Sequence, residues 1–244
     1  MQSILDFRLA PPFARSSRQV CPRADALATI DAMSIILCTQ SADLRRIVSR
    51  FAGRPCVYLC WGPPYKPQNG AAHPLQPDVP GGWDICDVSL APPALEILQS
   101  AGLIVAAMPP ASWQEPFGAA TAERLRAAAA TAAILLLGPS IEFAGEWRAH
   151  DAPGLNFIAN TLILHDLQAV ADLRALLASL SAGQTRLLAL DGPVCVEYDP
   201  HSDSVAVSGD GSVLLAAFVR NASAGQASVR AQVLTAGSSS GWPA

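Results

Sequence analysis

Between residues 33 and 140 the chain alternates short apolar runs with longer segments in which apolar residues return every three or four positions. A run that is apolar throughout is typical of a strand buried on both faces of a sheet, and the longer period is typical of a helix with one buried face. The apolar runs predict strands at residues 34–39, 57–61, 103–108 and 133–137, with a further short strand within 83–90. The helical pattern predicts helices at residues 41–51, 92–100 and 119–131. This alternation predicts a parallel central sheet flanked by helices on both faces.

The pattern changes in the C-terminal part of the chain. One more amphipathic helix is predicted at residues 168–180, and short strands joined by turns such as DGP and GDG follow it. These strands are predicted at residues 187–190, 194–198, 205–208 and 213–219. We therefore expect an antiparallel extension of the α/β fold. The predicted organisation is an N-terminal arm (1–32), a single α/β domain (33–235) and a flexible tail (236–244).

Composition narrows the class of protein. The chain has 244 residues, of which 51% are apolar and 15% charged, enough for one large core and incompatible with general disorder. The net charge is −4 and no basic cluster is present, so nucleic acid is not an expected partner. No apolar run is long enough to span a bilayer, and residues 1–19 contain no signal-peptide core. We expect no membrane association and a cytoplasmic location.

The six cysteines do not form a metal-binding pattern. No CxxC pair occurs, and several cysteines lie in apolar runs, where a thiol usually acts as a small buried hydrophobe. Cys56 and Cys60 are expected on one face of a strand as two core thiols, because no second close pair of ligands accompanies them. Glycine-rich nucleotide-binding motifs are also missing. We therefore expect no metal and no cofactor.

The candidate site follows from the position of Ser140. In an open parallel sheet, ligands bind beyond the C-terminal ends of the strands. The segment LLLGPSIEF contains a buried strand and a tight turn, and a helix is predicted after it. A serine on such a turn matches a nucleophile elbow. The alternative is a serine that caps the turn or the helix.

Several segments occur in the order found in one enzyme family. These are ILCTQSADLRRIVSRFAGRPCVYL, LEILQSAGLIVAAMPPAS, LLLGPSIEFAGEW, GLNFIANTLILHDLQAVADLRALLASL, LLALDGPVCVEY and VAVSGDGSVLLAAF. Together they span about residues 34–219 and resemble the cyanophycinase and peptidase E family of serine peptidases. The resemblance implies a fold like that of class I glutamine amidotransferases.

The same resemblance implies an altered nucleophile and oxyanion hole. Ser140 corresponds to the nucleophile of the family, but Ile141 and Glu142 stand where the family has small residues. Pro109 and Pro110 correspond to a Gly-Gly pair that donates backbone N–H groups to the oxyanion, and proline has no N–H. The loss of one such donor typically costs about 100- to 1000-fold in rate.

The other catalytic positions also differ from the family. Asp166 takes the place of the catalytic histidine, with His165 one residue earlier, and Gly192 takes the place of the acidic partner, with Asp191 just before it. His165 has an alternative interpretation as a histidine at a strand end, and Asp166 as a helix cap. Trp113 lies in a loop that would frame the pocket.

Other pocket candidates follow from spacing. Glu142 and Glu146 are one helical turn apart, so that both side chains would face the pocket or a solvated helix surface. Trp83 and Trp147 lie in or near the loops that would frame the pocket, as core residues or as partner anchors.

Two main functional hypotheses follow. The first is a non-catalytic homologue that acts as a binding protein or as a partner subunit of an enzyme, in a homo-oligomer or hetero-oligomer. The second is an active serine hydrolase or transferase on a peptide or amide, with Ser140 as nucleophile, His165 or Asp166 as base and Glu142 or Asp191 as helper. A third is a different chemistry that uses the carboxylates of the same pocket.

Overall fold

The structure is a computed structural model that describes residues 34–39, 44–60, 83–88, 90–107, 119–147, 154–167, 186–221 and 226–243. The predicted arm, the predicted helix at 168–180 and the pocket candidates Pro109, Pro110 and Trp113 lie outside these ranges. The helices are α1 (Leu44–Ser49), α2 (Leu95–Ser100), α3 (Ala119–Ala128) and a 3₁₀ helix (Gly138–Ala144). None of the helices in the described part of the chain is long and apolar enough to cross a membrane.

The first of two sheets contains the predicted parallel strands. Its strands are β1 (Ile35–Cys38), β2 (Cys56–Cys60), β3 (Trp83–Asp87), β4 (Leu103–Ala107), β5 (Ala133–Leu137), β9 (Val194–Asp199), β10 (Ser204–Gly209) and β13 (Ser239–Gly241). Their spatial order is β13-β10-β9-β1-β5-β4-β2-β3. Strands β1, β5, β4, β2 and β3 are parallel, and β9, β10 and β13 continue the sheet in antiparallel fashion. The prediction for the four central strands is therefore confirmed.

A second sheet has five strands in the order β12-β11-β8-β7-β6. Its members are β6 (Gly145–Trp147), β7 (Ile158–Leu164), β8 (Arg186–Asp191), β11 (Ser212–Asn221) and β12 (Gln226–Thr235). Strands β6, β7 and β8 are parallel, whereas β11 and β12 are antiparallel to their neighbours. The C-terminal strands predicted from sequence are thus divided between the two sheets.

The two faces of the first sheet are covered differently. Helix α1 packs on one face through Ile47 and Val48, together with Phe51, which follows the helix. The other face packs against Leu98 of α2, Leu125 of α3 and the inner side of the second sheet. The prediction of helices on both faces therefore needs correction, because strands supply much of one covering layer. The apolar residues of β7, β8 and β11 provide the buried surface of that layer.

The C-terminal residues are part of the fold. Strand β13 pairs with β10, and Trp242 packs against the main core cluster. The guanidinium of Arg186 lies 4.9 Å from the centre of the Trp242 ring and makes hydrogen bonds of 3.0 and 2.6 Å to Asp203. The hydroxyl of Tyr198 donates to the same carboxylate at 2.9 Å. Residues 239–243 thus differ from the predicted flexible tail, because an aromatic anchor and strand pairing hold them.

A disulfide joins two of the cysteines that the sequence pattern indicates as buried thiols. Cys38 and Cys195 lie directly opposite each other on β1 and β9, with their Cα atoms 4.2 Å apart. Cys56, Cys60 and Cys86 are not part of a disulfide, and burial raises the pKa of Cys56 to about 11. The interpretation as core thiols is therefore wrong for Cys38 and Cys195. No spacing rule connects two cysteines that are 157 positions apart.

Candidate active site

Strands β1 and β5 are neighbours in the first sheet, but the segments that follow them pack on opposite faces of it. Strand β1 leads to α1 on one face, whereas β5 leads to the 3₁₀ helix, whose Ile141 and Phe143 join the core on the other face. Such a change of side opens a crevice beyond the C-terminal ends of the two strands, where ligands bind in α/β proteins. Thr39 follows β1 at this crevice, and Gly138 follows β5. The candidate site is centred on these two strand ends.

Gly138 has the backbone conformation that an elbow demands. Its φ is +55°, and a side chain at this position would project into open space, with nothing within 4 Å of its Cβ. In a nucleophile elbow the reactive residue occupies this kind of sharp, strained turn, and the next residue donates a backbone N–H to the oxyanion. Here Gly138, which has no side chain, occupies the position of the reactive residue. The next residue is Pro139, which has no N–H to donate. The turn therefore lacks both groups.

Ser140 lies just beyond β5 but faces inward. The residue is fully buried, and its hydroxyl oxygen lies 2.6 Å from the carbonyl oxygen of Leu137 and 2.9 Å from that of Ala106. The same hydroxyl accepts a hydrogen bond of 2.9 Å from the N–H of Leu137. It can donate to one carbonyl at a time, so its hydrogen-bonding capacity is used within the protein. These contacts close the first turn of the 3₁₀ helix and connect β5 to β4.

Glu142 and His165 form a hydrogen-bonded pair at the end of β7. The Nδ1 atom of His165 is 2.7 Å from Oε1 of Glu142, and the exposed fractions of the two side chains are 29% and 11%. The hydrogen bond to Glu142 raises the pKa of His165, burial opposes this, and the charges of Glu142 and Asp166 add to the rise. The structure thus brings together two residues that the sequence placed 23 positions apart.

Glu146 lies in a different element from Glu142 and has a different partner. Residues 138–144 form a 3₁₀ helix and Gly145–Trp147 is strand β6, so the predicted helix through both glutamates is wrong. The carboxylate of Glu146 accepts a hydrogen bond of 2.8 Å from the backbone N–H of Asn160. The apolar spacing of IEFAGEW fits a helix, but pairing of β6 with β7 determines the conformation.

The remaining candidates lie around the strand ends. Asp166 directly follows His165 after β7, and Asp191 is the last residue of β8, opposite Ser212. Trp147 ends β6, whereas Trp83 begins β3 at the N-terminal ends of the parallel strands. The proposed position of Trp83 at the pocket is therefore wrong.

Thr39 is a residue of the site that the sequence analysis did not select. Its hydroxyl lies 2.8 Å from the carbonyl oxygen of Gly192 and accepts a hydrogen bond of 2.9 Å from the N–H of Val194. These contacts hold the end of β1 against the turn between β8 and β9. A polar residue directly after a buried strand is the sequence signal that marks such a position.

Within the described ranges, no three His, Cys, Asp or Glu side chains lie close enough to hold a metal ion. No protein-family model and no curated protein match the sequence. The fold is similar to the crystal structure of a peptidase from an acI-B1 Actinobacterium, with a TM-score of 0.58 and 12% sequence identity. The match covers 86% of this chain and 96% of that chain. The chain therefore has a peptidase-like α/β fold.

The contribution of the Glu142–His165 pair to stability is expected to depend on pH. The pKa of His165 is raised in the folded chain. The stabilisation that the pair gives to the fold is therefore complete below the unfolded pKa of about 6.5, and it is lost as the pH rises through the folded pKa. Glu142→Gln should remove about 1.5–3 kcal/mol of unfolding free energy at pH 6, and less at pH 9. Urea unfolding of both proteins between pH 6 and 9 measures this difference. His201→Gln is the matched control, and a pH-independent loss in Glu142→Gln would contradict the prediction.

Proposed function

We propose that this protein is a non-catalytic homologue of cyanophycinase-like and peptidase E-like enzymes and that it acts by binding. The observation that carries the proposal is the complete burial of Ser140, whose hydroxyl is engaged by backbone groups of Ala106 and Leu137. A serine nucleophile needs an accessible oxygen, a base and donors for the oxyanion. Gly138 and Pro139 supply neither a nucleophile nor an N–H donor at the turn itself.

The crevice between the ends of β1 and β5 is the binding region in this proposal. Open space next to Gly138 and the polar end of β1 at Thr39 support it. The Thr39 hydroxyl also binds backbone groups of the turn before β9. These contacts hold that turn beside the end of β1 without a bound molecule. In this view the chain works as a ligand-binding component or as the partner subunit of an active enzyme.

A second candidate function is hydrolysis without a serine nucleophile. It is favoured by the 2.7 Å contact between Glu142 and His165. A carboxylate on Nδ1 orients an imidazole so that its other nitrogen can take a proton from water, and such a base typically contributes about 100- to 10,000-fold. Ser140 has no role in this alternative.

Reaction with a fluorophosphonate probe, together with turnover of β-aspartyl and aspartyl-arginine dipeptides, tests the proposal. We expect no stoichiometric labelling of the purified protein and no turnover, because the Ser140 hydroxyl is inaccessible. Ser140→Ala is compared with Ser100→Ala, whose exposed hydroxyl donates to the carbonyl of Ile97 in its own helix. Labelling at Ser140, or turnover that Ser140→Ala abolishes, would establish a serine hydrolase instead.

Other outcomes of the same assay separate the two candidates. Turnover that survives in Ser140→Ala but is lost in His165→Gln would support the hydrolase that uses the Glu142–His165 pair. Absence of turnover in every variant, with an oligomer or a mixed complex in light scattering, would support the binding protein. A monomer that remains alone when mixed with an active homologous enzyme would contradict the role of partner subunit.

A further inference from the structure

The disulfide joins the two architectural halves of the first sheet. Strand β1 is the last of the parallel strands, and β9 is the first strand of the antiparallel part. The Cys38–Cys195 bond crosses this boundary between directly opposed residues. Two other contacts cross it as well: the Thr39 hydroxyl bonds, and a bidentate pair in which Arg50 donates to Glu197 over 2.8 Å.

The bond is inaccessible from outside the folded chain. Cys38 is 0% exposed and Cys195 is 3% exposed. Both lie in the core cluster under α1, together with Ile47, Val48 and Phe51. Formation or reduction of a disulfide requires a thiolate to approach one of its sulfur atoms. In the folded state, therefore, neither an oxidant nor a reductant reaches this bond.

We propose that Cys38 and Cys195 are joined during folding, before α1 packs over them, by exchange with the disulfide of a thiol–disulfide oxidoreductase. One cysteine thiolate attacks a sulfur atom of the oxidoreductase disulfide, which forms a mixed disulfide and releases one thiolate of the oxidant. The second cysteine, deprotonated, attacks the mixed disulfide, closes the Cys38–Cys195 bond and releases the oxidant as a dithiol. Two electrons pass from the chain to the oxidant, and the two protons end on the oxidant thiols.

The environment of Cys56 fits this order of events. Cys56 belongs to the same core cluster as the disulfide, and burial raises its pKa to about 11. It is therefore a poor attacking group once the core has formed. The folded chain thus protects the native pairing against exchange with Cys56. The inference also means that the chain folds where a disulfide donor is present, in contrast to the cytoplasmic location expected from its sequence.

Peptide mapping and a reduction assay on the wild-type protein test the proposal. Mapping without reductant should recover a peptide pair linked through Cys38 and Cys195. Dithiothreitol should reduce this pair at least 100-fold more slowly in native buffer than in 6 M guanidinium chloride, because the sulfur atoms are inaccessible only in the folded state. Recovery of both cysteines as alkylated thiols, or equal rates in the two solvents, would overturn it.

Reoxidation tests the order of the steps. The reduced chain is refolded without an oxidant, circular dichroism records whether it folds, and an oxidised oxidoreductase is then added. Slow bond formation in a folded chain, or failure to fold without the bond, agrees with the proposal. A folded chain that oxidises as fast as the unfolded one contradicts it.

Substitution supplies an independent readout of the bond. Cys38→Ala, Cys195→Ala and the double variant should each lower Tm by the same amount, on the order of 10 °C, because all three remove one and the same cross-link. Cys56→Ala is the control and should leave the rate of reduction unchanged. Additive losses in the double variant would show that the two cysteines are not joined.

Discussion

Ser140→Ala is expected to lower the free energy of unfolding by about 2 kcal/mol. The hydroxyl is fully buried and contacts the carbonyl oxygens of Leu137 and Ala106 and the N–H of Leu137. Alanine leaves those backbone groups without this partner, and an unsatisfied buried polar group typically costs about 1–3 kcal/mol. Urea unfolding of the two proteins measures the difference. The result would assign Ser140 to the structure of the turn.

The matched control for this variant is Ser100→Ala. The Ser100 hydroxyl is exposed and donates to the carbonyl of Ile97 in the same helix, so its loss should change stability by less than about 0.5 kcal/mol. Equal stability of Ser140→Ala and wild type would show that the hydroxyl is dispensable for folding. Its burial would then no longer argue against a chemical role, and the hydrolase hypothesis would regain weight.

Gly154→Ala is expected to have a larger effect, about 3 kcal/mol. A Cβ at this position would overlap the carbonyl oxygen of Gly145, and it would approach the carbonyl oxygen of Phe143 to 3.2 Å. The N–H of Gly154 donates to the backbone carbonyl of Glu146 at 2.8 Å, and the N–H of Leu155 donates to the backbone carbonyl of Phe143 at 2.6 Å. Backbone groups cannot rotate away as a flexible side chain can, so the segment before β7 must move away from β6.

Gly138→Ala separates steric overlap from backbone strain. Gly138 has a positive φ, but its Cβ would meet no atom within 4 Å, so that only the conformational cost of about 1–2 kcal/mol remains. Chemical denaturation of both variants, with the intensity of near-ultraviolet circular dichroism, measures the two losses. A Gly154→Ala protein as stable as Gly138→Ala would mean that the 3₁₀ helix, β6 and β7 adjust freely to each other.

The parallel strands were predictable because few other structures fit a short run of residues that are all apolar. Runs such as LIVAA in β4 and AILLL in β5 are apolar at every position, and their length of five residues is typical of strands covered on both faces. Strand β7 gives no such signal. Its Ala159 and Asn160 are exposed, and Asn160 has a φ of +55°, which interrupts the regular alternation of side chains. Strand β12 alternates polar and apolar residues at the edge of its sheet.

The position of Ser140 beyond β5 was predictable, but its orientation was not. The hydroxyl faces a carbonyl of β4, and only the sheet order places Ala106 beside that turn. The Glu142–His165 contact likewise depends on β7 packing against the 3₁₀ helix, which joins residues 23 positions apart. Pairings of this kind follow from tertiary packing, whereas sequence patterns report local periodicity and single-residue chemistry.

The position of β1 also has a consequence for biosynthesis. Its partner β5 is made about one hundred residues later, but its other partner β9 follows only after β6, β7 and β8, since Cys195 is 157 residues beyond Cys38. Until then one edge of β1 exposes backbone groups that other chains can pair with. An incomplete chain is therefore prone to aggregate through this edge, and protection by a chaperone is most valuable before β9 leaves the ribosome.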